Sequence, residues 1–151
     1  MHRPRLLLAD DHTETRKLLC SLLQVEFDVI ADVQDGQALV IAAQQLSPDV
    51  IVTDISMPVL DGISAATLIL GRNPAARIIF VTVHSDPSMV ERGLAAGALG
   101  YVLKHTAGDE LVPAVRAALR DDDVARPLGV LDPVSGAAVP VRINARRLNR
   151  V

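Results

Sequence analysis

The sequence predicts an α/β protein built on a doubly wound, open sheet of five parallel strands. Short apolar runs alternate with segments of about 11–14 residues in which apolar residues recur at helical spacing. The apolar runs show no polar alternation, which is typical of strands buried on both faces of a parallel sheet. Because crossovers between parallel strands are almost always right-handed, this order of strands and helices favours the doubly wound topology.

Five strands and the clearest helices can be placed from these runs. Strands are predicted at Leu6–Ala9, Val29–Val33, Val50–Thr53, Ile78–Val83 and Leu99–Leu103. Helical stripes are formed by Leu18, Leu19, Leu22 and Leu23, and by Leu111, Val112, Val115 and Leu119. The segment Thr106–Asp109 matches a capping box that would open the last helix, and Pro113 predicts a bend or a late start in that helix.

Composition restricts the class of protein. The 151 residues suffice for one domain, and only 2% of them are aromatic, so the core must be largely aliphatic. A formal net charge of −3 gives no general attraction to nucleic acid or to anionic membranes. The single cysteine, Cys20, excludes an internal disulfide, and no apolar run suffices for a signal peptide or a membrane span. We therefore expect a soluble cytoplasmic protein with no membrane partner.

The character of the chain changes after Arg120. Residues 121–151 contain an acidic run, and they carry five arginines against four aspartates. We interpret residues 4–120 as one domain and residues 121–151 as a tail or linker. Within this tail a hairpin is expected to turn at "DPVSG", between Val130–Leu131 and Val139–Ile143.

Polar side chains lie where the predicted strands end. Asp10 and Asp11 follow the first strand, and Asp54 follows the third. Thr82 lies at the end of the fourth strand, and Lys104 follows the fifth. Ligands of open parallel sheets bind beyond these carboxyl ends, so the side chains are expected to converge on one pocket. Each alone has a structural explanation, such as a helix cap for Asp10 or Asp11. Their coincidence at one edge favours a functional site.

The chemistry of this set favours Mg²⁺ and a phosphoryl group. Three clustered carboxylates repel one another unless a cation compensates. Oxygen ligands without His or Cys select a hard cation, and Mg²⁺ fits best. The Lys104 ammonium and the Thr82 hydroxyl suit a phosphoryl oxygen better than a bare metal. The histidines show no spacing typical of metal ligands, so no transition-metal site is expected.

Together these motifs resemble the receiver domain of two-component response regulators. The matching segments are "ADD" at 9–11, "TDISMPVLDG" at 53–62, "VTVH" at 81–84 and "GYVLK" at 100–104. The resemblance covers residues 4–120 and implies a flavodoxin-like fold with strand order 2-1-3-4-5. The segment "KHTAGDELVPAVRAAL" is similar to receivers of the helix-turn-helix DNA-binding subgroup. Residues 121–151 contain no recognisable output domain, so DNA is expected as a partner only if such a domain is missing from this chain.

The resemblance also implies chemical roles. Asp54 is the expected phosphoacceptor, modified by a sensor histidine kinase or a phosphotransfer protein. Mg²⁺ is the expected cofactor, bound by Asp11, Asp54 and the backbone carbonyl of Ser56, with Asp10 acting largely through water. The protein would be a signalling switch that catalyses its own phosphorylation and dephosphorylation, and not a conventional enzyme.

The implied switch couples Thr82 to Tyr101. Lys104 and Thr82 are expected to contact phosphoryl oxygens, and movement of Thr82 would let Tyr101 turn inward. The surface that reports this change would comprise parts of Asp86–Ala96, Tyr101 and Ala107–Arg120. Because this surface carries both signs of charge, we expect weak, phosphorylation-enhanced homodimerisation through it.

Four positions depart from the commoner pattern of the family. Val83 stands where a small residue is common and would narrow access to Asp54, and His105 stands where proline is common. His84 and Ser56 lie two residues after the switch threonine and the phosphoacceptor. We expect these last two to affect how long the phosphoaspartate survives.

Parts of the sequence also match three other functions. The chain could be a truncated or degenerate DNA-binding regulator whose basic tail, with Arg142, Arg146, Arg147 and Arg150, contacts phosphates, although no aromatic residues interleave for base stacking. Aspartyl-phosphate phosphatases also use an Asp at a strand end, but they carry a second Asp where this chain has Ser56. No glycine-rich loop follows the first strand, which argues against a dinucleotide-binding enzyme.

Overall fold

Five parallel strands form the sheet, as predicted. The computed structural model describes residues 3–120 and, after them, residues 130–131 and 138–139. The strands are β1 (Arg5–Ala9), β2 (Asp28–Val33), β3 (Val50–Thr53), β4 (Ile78–Thr82) and β5 (Gly100–Leu103). Their order is β2-β1-β3-β4-β5, which confirms the doubly wound topology.

Within residues 3–120, five α-helices connect or follow these strands. They are α1 (Thr13–Leu23), α2 (Gly36–Leu46), α3 (Gly62–Arg72), α4 (Pro87–Ala95) and α5 (Ala107–Leu119). Helix α1 contacts α5 and α2 contacts α3, so helices cover both faces of the sheet. Within residues 3–120, no helix combines the length and the apolar character that a membrane crossing requires.

Aspartates define the starts of three helices. Asp35, Asp61 and Asp86 each accept a hydrogen bond from the backbone N–H three residues later, at the beginning of α2, α3 and α4. Helix α1 begins differently, because its N-cap residue is His12, whose side chain makes no capping hydrogen bond. Neither Asp10 nor Asp11 is therefore the cap of α1.

The core is aliphatic and is centred on β1, β3, β4 and β5. All residues of β3, β4 and β5 are buried, as expected for strands covered on both faces. β2 lies at the edge of the sheet and is only half-buried. On the paired strands β4 and β5, the rings of Phe80 and Tyr101 meet edge to face with their centroids 6.2 Å apart.

Two predictions about apolar residues were wrong. Val83 was assigned to the fourth strand, but β4 ends at Thr82 and Val83 is 68% exposed. Leu18 was assigned to the buried stripe of the first helix, but it is 71% exposed, whereas Leu19 and Leu23 are buried. The four leucines form two adjacent pairs, and neighbouring residues of a helix point about 100° apart. The two members of a pair therefore cannot both face a flat sheet fully.

The start of α5 also differs from the prediction. Lys104–Thr106 forms a 3₁₀ turn that runs directly into α5, and the Thr106 hydroxyl donates to the Leu103 carbonyl and does not cap the helix. The helix begins at Ala107, six residues before Pro113, so a late start was wrong. Pro113 is exposed, and the buried side of α5 holds the helix against the sheet despite the missing hydrogen bond.

Two short strands lie in the tail. β6 (Val130–Leu131) pairs antiparallel with β7 (Ala138–Val139), which agrees with the predicted hairpin at its first strand and overlaps the second at Val139. The predicted turn "DPVSG", the rest of the second strand and all five arginines of the tail lie outside the described residues.

Candidate functional site

One ammonium joins two buried carboxylates at the carboxyl edge of the sheet. Lys104 Nζ lies 2.8 Å from Asp54 Oδ2, to which it donates a hydrogen bond, and 2.9 Å from Asp10 Oδ2. Both aspartates are buried, and the lysine side chain is 14% exposed. Burial alone would lower the pKa of Lys104, but the hydrogen bonds and charges of Asp54 and Asp10 raise it above its ordinary value. The lysine is therefore a cation at neutral pH.

The backbone fixes Asp54 at the end of β3. Its N–H donates to the Ala9 carbonyl at 2.9 Å, and its Oδ1 accepts from the Ile55 N–H at 2.7 Å. Oδ1 is thus held by the protein backbone, while Oδ2 faces Lys104. The sequence predicted this position correctly, because the apolar run Val50–Val52 and Thr53 lead directly into the carboxylate.

Two glycines hold the loop that follows Asp54. A side-chain carbon on Gly62 would overlap the Asp54 carbonyl, and the Gly62 N–H donates to the Ile55 carbonyl at 2.7 Å. A side-chain carbon on Gly36, at the start of α2, would overlap the backbone of Leu60 in the same loop. Only residues without a β-carbon permit these approaches, so the loop is set closely against β3 and α2.

Each polar group of Asp10 has a partner in the protein. Its N–H donates to the Val33 carbonyl at 3.0 Å, and its Oδ1 accepts from the His12 N–H at 2.9 Å. Its carbonyl oxygen accepts from Arg16 Nη1 at 2.8 Å, and Lys104 lies beside its Oδ2. This carboxylate is therefore fixed in direction as well as buried.

Asp11 supplies an acceptor that the protein leaves open. Its Oδ1 atom is buried and accepts no hydrogen bond, whereas Asp10 Oδ2 is paired with the Lys104 ammonium. The ligand atoms of Asp10, Asp11 and His12 lie within 4.8 Å of one another. Open carboxylate oxygens at a polar edge fit a hard cation, so these residues are compatible with Mg²⁺. His12, which the sequence did not single out, stands beside them, with Nδ1 3.2 Å from Asp11 Oδ1.

A cleft of about 540 Å³ connects Asp11 with the loop after Asp54. It is lined by Asp11, Ile55, Ser56, Met57, Pro58, Asp61, Ile63, Met89 and Arg92. Asp11 and Ser56, both expected near the metal, therefore share one opening to solvent. The cleft opens this edge of the sheet to solvent.

His84 links the residues of the expected switch to the β3–α3 loop. Its N–H donates to Thr82 Oγ1 at 3.4 Å, and its carbonyl accepts from the Tyr101 hydroxyl at 2.9 Å. Its Nε2 lies 2.6 Å from the Ser56 hydroxyl. The two positions expected to affect phosphoaspartate lifetime are thus hydrogen-bonded to each other, which sequence spacing did not predict.

Tyr101 faces inward in this structure. Its side chain is buried, with the ring against Phe80 and the hydroxyl on the His84 carbonyl. Burial raises the pKa of Tyr101, and the negative charges of Asp86 and Asp54 raise it further. The phenol therefore stays neutral and acts as a hydrogen-bond donor.

Comparisons with known proteins agree with this fold. The family model described as response regulator receiver domain matches residues 6–116. The chain is 36% identical over 113 residues to the transcriptional regulatory protein LnrK of Bacillus subtilis, a match that covers 74% of this chain and 51% of that protein. The chain spans about half the length of the curated relatives it matches.

Solved structures show the same similarity. A two-component response regulator of the LuxR family from Aurantimonas sp. matches with a TM-score of 0.77 at 31% identity, covering 80% of this chain and 87% of that one. A chain of the CheX–CheY–BeF₃–Mg²⁺ complex from Borrelia burgdorferi matches with a TM-score of 0.72 at 26% identity, covering 75% and 87%.

The fold, with acidic and basic groups gathered at the carboxyl edge of its sheet, is that of a signalling receiver of two-component systems. This chain belongs to the response regulator receiver domain family.

Proposed function

We propose that residues 4–120 form a receiver domain in which Asp54 accepts a phosphoryl group from a sensor histidine kinase or a phosphotransfer protein. The observation that carries this proposal is the buried Asp54 carboxylate, held by the Ile55 N–H on one oxygen and by Lys104 on the other. An Asp54 oxygen would form the new O–P bond while the P–N bond of the donor phosphohistidine breaks. The electron pair of that bond leaves with the imidazole.

The surrounding charges support transfer rather than supply covalent chemistry. Phosphoryl transfer depends mainly on positioning and on neutralising the phosphoryl oxygens. Asp11, Asp54 and the Ser56 carbonyl would hold Mg²⁺, with Asp10 acting through water, and the bound ion supplies positive charge at the phosphoryl group. Lys104 supplies a second positive charge from the protein. The complex with BeF₃ and Mg²⁺ named for the Borrelia relative supports this assignment.

Thr82, His84 and Tyr101 form the proposed read-out. A phosphoryl oxygen on Asp54 would accept a hydrogen bond from the Thr82 hydroxyl and draw it toward Asp54. The hydroxyl oxygen now accepts from the His84 N–H at a long 3.4 Å, so this movement would lengthen or break that contact. Tyr101 holds the His84 carbonyl from the other side. A shift of Thr82 would therefore be felt by the loop that leads into α4.

Mass spectrometry tests the phosphoacceptor directly. Incubation with acetyl phosphate and Mg²⁺ should add one phosphoryl group to the intact protein, and Asp54→Asn should abolish the addition. Asp28→Asn, which changes an exposed aspartate on the edge strand, is the matched control and should behave as wild type. Equal phosphorylation of Asp54→Asn and wild type would show that another residue accepts the group.

Homodimerisation is a separate proposal about output. Exposed charges of both signs lie on α4 and α5, including Glu91, Arg92 and Asp109. Arg116 is already engaged by Glu26 of the same chain, and Tyr101 is buried, so the proposed interface is smaller than the sequence indicated. Sedimentation with and without beryllofluoride should show a weak dimer only with the mimic. A monomer in both states would favour a different protein as the reader.

DNA binding is proposed only through a further domain. The LnrK relative is named a transcriptional regulatory protein, and the match covers 51% of it. No helix-turn-helix unit occurs among residues 3–120, where α1, α2, α4 and α5 contact strands of the sheet and α3 packs against α2. We expect the isolated chain to show no sequence-specific DNA retention, and a salt-dependent gel shift with a promoter fragment would contradict this.

A further inference from the structure

Arg16 fastens the corner between β1 and α1. Its Nη1 donates to the Asp10 carbonyl at 2.8 Å, and its Nε donates to Asp32 Oδ1 at 2.9 Å. The Arg16 side chain is only 11% exposed, whereas the Asp32 side chain on β2 is 47% exposed. One planar guanidinium therefore ties the end of β1 to the edge strand through two donors of fixed relative direction.

The carbonyl that Arg16 holds belongs to the peptide group that leads into Asp11. Rotation of this peptide group would redirect the Asp11 side chain, whose Oδ1 is the buried oxygen that accepts no hydrogen bond. The Asp10 N–H and carboxylate are anchored independently, by the Val33 carbonyl, the His12 N–H and Lys104. Arg16 is the contact that fixes the remaining, carbonyl side of Asp10.

We propose that Arg16 is a positioning residue for the divalent cation, acting through the Asp10–Asp11 peptide group; this rests on the proposed function, in which Asp11 holds Mg²⁺. The residue does not touch the ion. It sets the direction in which Asp11 presents its carboxylate. Groups that orient metal ligands from behind typically change metal affinity about 10–100-fold when they are removed.

Electrostatics makes the opposite prediction, which gives the test its sign. Arg16 is a largely buried cation close to a cluster of carboxylates. Its positive charge would repel a Mg²⁺ ion bound there. If its only effect were Coulombic, removing the guanidinium would strengthen Mg²⁺ binding. If it positions Asp11, the same removal weakens Mg²⁺ binding.

Isothermal titration of the full chain with MgCl₂ decides between them. We expect Arg16→Met to weaken Mg²⁺ binding about tenfold or more. Arg16→Lys keeps the charge but can satisfy only one of the two acceptors, so it should lie between Arg16→Met and wild type. Arg72→Met removes a positive charge from the end of α3, where Arg72 contacts Gln44, and should bind as wild type.

Each outcome bears on the proposal. Unchanged or tighter Mg²⁺ binding by a folded Arg16→Met protein would overturn it, with urea unfolding as the check on folding. If that variant does not fold, Asp32→Asn takes its place, and it should weaken binding about two- to threefold because one of the two anchors is lost. If Asp11→Ala binds Mg²⁺ as tightly as wild type, the proposed function itself is overturned. That result differs from one in which only the Arg16 variants bind Mg²⁺ normally.

Discussion

Replacing Lys104 by methionine removes the cation that separates two buried carboxylates. At 2.8 and 2.9 Å, each ion pair is worth about 6 kcal/mol of gross Coulomb attraction at an effective dielectric constant of about 20. Desolvation of the three groups offsets most of this attraction. The net cost of removing one partner of a buried pair is about 3–5 kcal/mol. We expect Lys104→Met to lose this much at pH 7 without Mg²⁺, a large share of the stability of about 5–15 kcal/mol typical of a domain.

Urea unfolding measures this cost. With a slope of about 2 kcal/mol per molar urea, the midpoint should fall by about 2 M. Lys17→Met is the matched control, because Lys17 is the only other lysine and is exposed on α1. Adding Mg²⁺ should recover more stability in Lys104→Met than in wild type, since the ion replaces part of the missing charge. Equal midpoints for wild type and Lys104→Met would refute the view that the lysine balances Asp10 and Asp54.

The pH dependence of stability provides a second test of the role of Lys104. Because the folded pKa of Lys104 is raised, its stabilisation is complete below the ordinary lysine value of about 10.4 and is lost as the pH rises through the folded value. Tyr101, whose pKa is also raised, contributes a loss in the same alkaline direction. The fall in stability above about pH 10 should therefore be shallower in Lys104→Met than in wild type, with the tyrosine part remaining.

Three further predictions concern residues around Asp54. Asp11→Ala should weaken Mg²⁺ binding by at least about tenfold by calorimetry, and an unchanged affinity would contradict a ligand role. Val59→Gly should raise stability by about 0.5–1.5 kcal/mol, because Val59 is 74% exposed and has a φ of 70°, which strains a β-branched residue; the exposed Val25→Gly should not. Ser56→Ala removes the hydrogen bond to His84 and should shorten the phosphoaspartate lifetime roughly two- to tenfold. Because that bond is then already absent, adding His84→Ala should shorten the lifetime no further.

The strands and most of the strand-end residues could be predicted because their signals are local. Strands β3, β4 and β5 are buried throughout, and Asp10 and Asp54 directly follow β1 and β3 in the chain. The predictions for Val83 and Leu18 were wrong for a physical reason. An apolar residue type indicates a preference for burial, but it does not determine the direction in which the backbone places the side chain. At Val83 the strand has already ended, so the side chain points to solvent.

The polar contacts behind the site could not be predicted, because they join distant segments. Arg16 meets Asp32 only after β1 and β2 pair, and Ser56 meets His84 only after β3 and β4 pair. Spacing along the chain carries no record of these meetings. An arginine on a first helix has the same sequence signature whether it is solvated or fastened to a carbonyl.

The two glycines that hold the loop after Asp54 bear on how mutational scans of this protein should be interpreted. In a saturation screen, Gly62 and Gly36 should tolerate replacement as poorly as Asp54, although neither carries a reactive group, since any β-carbon would overlap backbone atoms. The two kinds of intolerance separate when cellular abundance is scored beside signalling output. Glycine replacements should lower both, whereas Asp54→Asn should lower output and leave abundance intact. A ranking of positions by intolerance to substitution alone would not separate residues required for folding from residues required for the reaction.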